Sequence, residues 1–179
     1  MRIDTIKRSQ ITPMPEYFGR YINQVADTTL REALDESIRQ IDALDFDALD
    51  RIGTAVYAEG KWPIATIVTH ITDFERILGY RTLVYARQAG IVPQGIEEDT
   101  LAVNSRSHDR EIRAAFAELR IARLSTKAMF EGFDDQAFDV IGKIWKDEMT
   151  VLAMGFNMIG HQIHHLRVIE ERYLPLLKG

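Results

Sequence analysis

The chain reads Gly160-His-Gln-Ile-His-His-Leu-Arg-Val-Ile-Glu-Glu-Arg-Tyr-Leu174 over the segment that says most about its fold. Three of the five histidines, His161, His164 and His165, lie here among apolar residues. Residues four positions apart share one face of a helix, so the side chains of His161 and His165 point the same way, about 6 Å apart along the axis. Two imidazoles in that arrangement can bind one metal ion. The segment therefore predicts a helix that carries part of a metal site.

Amphipathic segments of more than 20 residues recur along the chain. In each of them apolar residues are spaced three and four apart, as in a helix that buries one face. No segment alternates apolar and polar residues convincingly enough to predict a strand. A shorter segment, Glu16–Val25, predicts a short N-terminal helix or turn. The four long helices are predicted over Thr28–Leu49, Pro63–Ala89, Ser107–Gly132 and Thr150–Leu174.

Local signals mark the ends of these helices. Thr29 followed by Glu32 is a capping-box pattern at a helix N-terminus, and Pro63 suits the first position of a helix. Proline and glycine predict a loop over Ile91–Thr100, and Phe133–Lys146 is predicted to be a less regular connection. Four amphipathic helices joined in this way are typical of an all-α four-helix bundle.

The composition is that of an ordinary globular chain, with 46% hydrophobic and 27% charged residues. A length of 179 residues predicts one domain, over residues 1–179. Cysteine is absent, which excludes thiolate metal ligands and a cysteine nucleophile and fits a cytoplasmic location. The net charge of −5 gives no electrostatic reason to expect nucleic acid or an anionic membrane as a partner. No apolar run approaches the ~20 residues that span a bilayer.

A third imidazole is needed to hold a metal ion, and His70 is the best placed. It lies between Ile67 and Phe74 in the apolar stripe of the second predicted helix. A buried imidazole without a partner costs roughly 1–3 kcal/mol, and a divalent cation would satisfy three at once. The alternative is a set of hydrogen-bonded histidines near a helix surface. His164 is interpreted as a flanking or structural residue, and His108 as a solvated residue at a helix start.

Several of these segments resemble one known family. The motifs are GKWPI at residues 60–64, HITDFERILGYR at residues 70–81, Ala-Arg at residues 86–87, and the segment 160–174 quoted above. Together they are similar to the second and fourth helices of the DinB/YfiT-like bundle proteins. The resemblance extends from about residue 17 to residue 174 and is specific at these two helices.

The resemblance implies a four-helix bundle with a three-histidine metal site. The first ligand of the family matches His70, and the pair from the last helix matches His161 and His165. Members are described as metal-dependent hydrolases, and relatives transfer low-molecular-weight bacterial thiols onto electrophiles. Family members often form dimers, so a homodimer through an exposed apolar helix face is a further expectation.

Helical spacing also suggests residues that would assist the metal. Asp73 lies three residues after His70, where it would bind a ligand imidazole or accept a proton, and an ion pair with Arg76 or Arg81 is the alternative. Asn157 lies one turn before His161 and would orient a water or a substrate, unless its amide has only a backbone partner. Together with Glu75, the two arginines are interpreted first as an inter-helix salt-bridge network. The catalytic candidates are therefore Asp73 and Asn157.

Three imidazoles leave coordination positions open on one divalent ion, which is expected to be zinc or nickel. Such an ion can activate a water, which favours a hydrolase acting on a small-molecule substrate. It can equally ionise an external thiol, which would make the protein a thiol S-transferase. A non-catalytic metal-binding bundle is the third hypothesis. A ligand-binding module without metal would require the three imidazoles to diverge.

Overall fold

A computed structural model shows the predicted all-α bundle over residues 1–93 and 95–178. Gln94 of the predicted loop and Gly179 of the predicted domain lie outside the described residues. The helices are α1 (Gly19–Ile22), α2 (Leu30–Asp42), α3 (Phe46–Ile52), α4 (Ile64–Ala86), α5 (Glu98–Asn104), α6 (Ile112–Glu131) and α7 (Val151–Val168), and the strands are β1 (Ile141–Ile144) and β2 (Asp147–Thr150).

The bundle consists of α2, α4, α6 and α7. Helix α2 packs against α6 and α7, and α4 packs against the same two helices. The pairs α2 with α4 and α6 with α7 are therefore diagonal. Consecutive long helices α2 and α4 do not lie side by side, and neither do α6 and α7, so their connections cross the ends of the bundle. None of the helices in the described ranges combines the length and the apolar character that a membrane crossing requires.

The helix boundaries follow the predicted signals, with three corrections, the first of which is that α6 begins at Ile112 instead of the predicted Ser107. The side chains of Thr29 and Glu32 form the predicted capping box, in which Glu32 Oε2 accepts from the Thr29 backbone N–H at 2.8 Å. The predicted first helix, Thr28–Leu49, is two helices, because the Asp45 carboxylate accepts from the Ala48 N–H and starts α3. The predicted last helix ends earlier, and the chain continues as a π-helical turn over Ile169–Tyr173 and a 3-10 segment over Leu174–Lys178.

A small hairpin replaces the predicted irregular connection before α7. Strands β1 and β2 pair antiparallel, with Ile141 opposite Thr150 and Ile144 opposite Asp147. Each strand has four residues, too few for alternation to stand out in the sequence. Gly142 is required here because a Cβ at this position would lie 2.2 Å from the ring of Tyr85 on α4. The hairpin therefore sits against α4, close to the cavity described below.

A buried polar network ties the four bundle helices together. The Arg123 side chain of α6 is 0% exposed, and its guanidinium forms a two-pronged ion pair with Glu75 of α4, at 2.8 and 2.9 Å. It also donates to Ser37 Oγ of α2 at 2.9 Å and to the Met158 carbonyl of α7 at 3.1 Å. One side chain thus binds to three other helices.

Candidate metal centre

The three predicted histidines converge between α4 and α7. His161 Nε2 lies 3.1 Å from His70 Nε2 and 3.0 Å from His165 Nε2. One ligand atom from each of the three rings lies within 4.8 Å of the others. Helix α7 supplies two rings because His161 and His165 are one turn apart, and α4 supplies the third because its buried face passes through His70. A ligand-binding module without metal required the three rings to diverge, and that hypothesis is therefore wrong.

The donor set fits a divalent metal ion. Nitrogen ligands about 2.0–2.1 Å from one ion would be roughly 3.0–3.4 Å apart, close to the two short spacings observed. Hydrogen bonding explains the cluster less well, because one proton on His161 Nε2 cannot be donated well to both neighbouring nitrogens. His70 Nδ1, on the other side of the ring, is buried without a hydrogen-bond partner among the described residues, so no described hydrogen bond fixes which ring nitrogen carries the proton. A cation at the meeting point of the three rings would satisfy all three lone pairs.

Burial keeps the three imidazoles neutral. It lowers the pKa of His70 to about 4 and that of His165 to about 3, and repulsion from His70 and His164, were they protonated, adds to the effect on His165. Burial also lowers the pKa of His161 well below its usual value, with contributions from the neighbouring histidines and Arg123. A neutral imidazole is the form that binds a metal. The site is therefore ready to bind a cation at physiological pH.

We expect the metal-free protein to lose stability as the pH falls from 6.5 toward 4. A histidine in the unfolded chain titrates near 6.5, whereas the folded pKa of His70 is about 4. Between these values the unfolded chain binds more protons, so stability present above pH 6.5 is lost as the pH falls through the folded value. His70 alone would contribute about 3 kcal/mol of this loss. Urea unfolding at pH 7, 5.5 and 4 measures it.

His70→Asn should flatten that pH dependence. His108→Asn is the matched control, because His108 is exposed and its ring lies 3.0 Å from Asp109. An identical pH dependence of unfolding in the wild type and His70→Asn would contradict the prediction.

A cavity of about 360 Å³ opens beside His70 and His161. Asn157 lines it, is 2% exposed, and its Oδ1 has no hydrogen-bond partner within residues 1–93 and 95–178. This placement agrees with a role in orienting a bound molecule, which stays a prediction. The wall combines apolar and charged side chains from α1, α4 and the start of α5, among them Tyr21, Phe74, Leu78, Arg81 and Glu98.

Asp73 lies apart from this cavity. Its Oδ1 is 3.8 Å from Arg76 Nη1, and Arg76 also binds Glu118 of α6 at 2.6 Å. Burial raises the pKa of Asp73, with an opposing effect of Arg76. The described contacts include no hydrogen bond between Asp73 and His70. They favour the ion-pair alternative, and a catalytic role of Asp73 stays a prediction.

The other flagged residues have structural surroundings. The His164 ring packs edge-on against Tyr21 and against His165, at centroid distances of 5.4 and 5.0 Å. With His165 it lines a separate groove next to Trp62. His108 is exposed beside Asp109, as predicted. His164 therefore flanks the three-histidine group without joining it.

Two residues of the site were not found by the sequence analysis. Glu98 Oε1 lies 3.6 Å from His70 Nε2, because residues 98–104 form α5 where a loop was predicted. Tyr21 packs its ring edge-on against His161 at 5.4 Å, because α1 lies directly on α7. Gly160 permits that approach, since a Cβ there would lie 2.1 Å from the Tyr21 carbonyl oxygen. The acidic run at residues 97–99 was the one available signal for Glu98.

Comparison with known proteins agrees with this architecture. The chain is similar to the solved structure of YfiT from Bacillus subtilis, described as "a probable metal-dependent hydrolase with an unusual four-helix bundle topology". The TM-score is 0.63 and the sequence identity 18%, over 92% of this chain and 89% of that chain, so the likeness concerns the fold. No curated protein matches the chain. A family model, described as the DinB superfamily, matches residues 53–169, which include all three histidines. The chain belongs to the DinB superfamily.

Proposed function

We propose that this protein is a metal-dependent enzyme of hydrolase type that acts on a small-molecule substrate. One observation carries the proposal: neutral imidazoles of His70, His161 and His165 converge, and two of them line a cavity large enough for a small molecule. The description of YfiT as a probable metal-dependent hydrolase supports the same activity.

The three histidines would hold one divalent ion, zinc or nickel, through their Nε2 atoms. Three protein ligands leave at least one coordination position open, which is typical of catalytic rather than structural sites. When bound, the ion would supply Lewis acidity and lower the pKa of a coordinated water toward ~7.

The residues around the cavity suggest how the chain itself would assist hydrolysis. The Glu98 carboxylate lies close enough to His70 to take a proton from a water as the water oxygen bonds to the electrophilic carbon. It would return that proton to the leaving group as the second bond breaks. The buried Asn157 amide would orient the substrate by hydrogen bonding. This mechanism does not use Asp73, whose carboxylate lies 3.8 Å from Arg76, and a catalytic role of Asp73 stays a prediction.

Metal analysis combined with a hydrolysis assay tests the proposal. Protein purified without a metal-affinity tag is expected to contain about one divalent ion per chain. It should hydrolyse a panel of 4-nitrophenyl esters, lose that activity on chelation and regain it with zinc or nickel. Glu98→Gln should keep the ion but lower kcat by about 10²–10⁴, the usual contribution of a general base. Glu36→Gln, an exposed glutamate paired with Arg39, is the matched control.

The same assay separates the alternatives. Conjugation of cysteine to 1-chloro-2,4-dinitrobenzene without ester hydrolysis would replace the proposal with a thiol S-transferase. An ion-loaded protein that is inactive in both assays would support a non-catalytic metal-binding bundle. The homodimer also stays a prediction, because the structure describes one chain.

A further inference from the structure

Arg81 differs from the other buried arginine of the bundle. It is 7% exposed, yet it forms no hydrogen bond or ion pair with any described residue. Arg123, by contrast, is matched by Glu75 and two further acceptors. The prediction that Arg81 joins Glu75 and Arg76 in a salt-bridge network is therefore wrong for Arg81, although both other residues do form inter-helix ion pairs.

Most of the Arg81 residue is buried, but none of its nitrogens is among the buried atoms without a hydrogen-bond partner, so the guanidinium is open to the cavity. Burial lowers the pKa of Arg81, with an opposing effect of Tyr85. An arginine nevertheless stays protonated, because its reference pKa exceeds 12. The side chain lines the same cavity as His70 and His161. Its charge is thus available to a molecule that enters the cavity.

Arg81 and His70 lie on one face of α4. Eleven residues separate them, which is close to three turns, so they differ by about 20° around the axis and about 16 Å along it. Phe74 and Leu78 lie between them and also line the cavity. Helical side chains lean toward the N-terminus, so the Arg81 guanidinium reaches back in the direction of His70. Along α4 the cavity wall therefore runs from a cationic residue through two apolar residues to His70, and the neighbouring part of the wall is acidic, with Glu97, Glu98 and Asp99.

We propose that Arg81 binds an anionic group of the substrate, a carboxylate or a phosphate, while the reactive bond lies at the three histidines. This inference rests on the proposed function, because it assigns a substrate class to the same site. The guanidinium presents paired N–H donors that match two oxygens of either anion. The contacts with Phe74 and Leu78 require an apolar linker of a few carbon atoms between the anionic group and the reactive bond.

Charge at the opposite end of the cavity leaves a second place where an anion can bind. Glu98 lies next to His70, with its carboxylate oxygen 3.6 Å from the ring nitrogen. Its negative charge repels an anion there in the metal-free protein and offsets part of the charge of the divalent ion that the three histidines would hold. The charge of Arg81, in contrast, has no carboxylate partner among the described residues. The His161→Ala variant below separates binding at Arg81 from binding at the ion.

Calorimetric titration with three ligands of equal chain length tests the proposal. Hexanoate carries a carboxylate, hexyl phosphate a phosphate, and hexanamide no charge. We expect the metal-loaded wild type to bind at least one of the anions tenfold or more tightly than hexanamide. The preferred anion identifies the group. Arg81→Gln should remove the preference and Arg81→Lys should retain part of it. Arg76→Gln, an exposed arginine on the same helix, should leave it unchanged.

One further variant separates this inference from the proposed function. Anion preference that persists in His161→Ala would show that the anion binds at Arg81 rather than to the metal, whatever the activity of the protein. Loss of the preference in His161→Ala with its retention in Arg81→Gln would overturn the inference. Equal affinity of the wild type for hexanamide and both anions would also overturn the inference. That comparison uses the wild type alone, so it does not depend on whether a variant folds.

Discussion

His161→Ala should abolish binding of the divalent ion and reduce kcat/KM by roughly a thousandfold or more. Removing a residue that only supports a ligand typically costs 10–100-fold, and loss of a ligand should cost more. His161 is the central ring, since its Nε2 is 3.1 Å from His70 Nε2 and 3.0 Å from His165 Nε2. It is 8% exposed, so solvent cannot easily replace it as a ligand. Elemental analysis measures the ion directly, without reference to any substrate.

Two other histidines serve as controls for this experiment. His164 lies on the same turn of α7, but its ring is outside the three-histidine group. The His164→Ala variant should therefore keep the ion. His108 is exposed and does not belong to the three-histidine group, so the His108→Ala variant should keep both the ion and the activity. Retention of a full equivalent of metal in His161→Ala would contradict the assignment of the site.

The three histidines were predictable from the sequence because helical geometry constrains them strongly. A spacing of four residues places His161 and His165 on one face whatever the rest of the fold does. His70 was found because a polar residue interrupts an apolar stripe. Glu98 has no comparable pattern, since its position depends on the path of the segment between α4 and α6. Its proximity to His70 is a tertiary feature that periodicity does not encode.

The fold was predictable to a similar extent. Four long amphipathic stripes indicated the bundle, and the capping box at Thr29 marked the start of α2. The hairpin β1–β2 was missed because four-residue strands are too short to show a period. Arg81 was misjudged for another reason. Like Arg123, it is a charged residue on a buried helix face, and only the packed structure shows that Arg123 has partners whereas Arg81 has none among residues 1–93 and 95–178.

Glu75→Ala should lower the free energy of unfolding by about 3–5 kcal/mol. The change leaves the Arg123 guanidinium, which is 0% exposed, without its carboxylate partner. The neutral acceptors that remain, Ser37 Oγ and the Met158 carbonyl, do not balance its charge. Because Glu75 is on α4 and Met158 on α7, the loss would also loosen the two helices that carry the three histidines. Urea unfolding monitored by circular dichroism measures the change.

Two comparisons show whether the buried charge of Arg123 causes the loss of stability in Glu75→Ala. Glu118→Ala removes an inter-helix glutamate that pairs with Arg76 and Arg110 near the surface, and it should cost about 1 kcal/mol or less. Combining Glu75→Leu with Arg123→Met removes both buried charges and should recover much of the lost stability, since apolar residues can replace a buried ion pair at little cost. Similar losses for Glu75→Ala and Glu118→Ala would contradict the role of the buried pair. The double variant should also keep its metal ion if packing of α4 on α7, rather than charge, positions the three imidazoles.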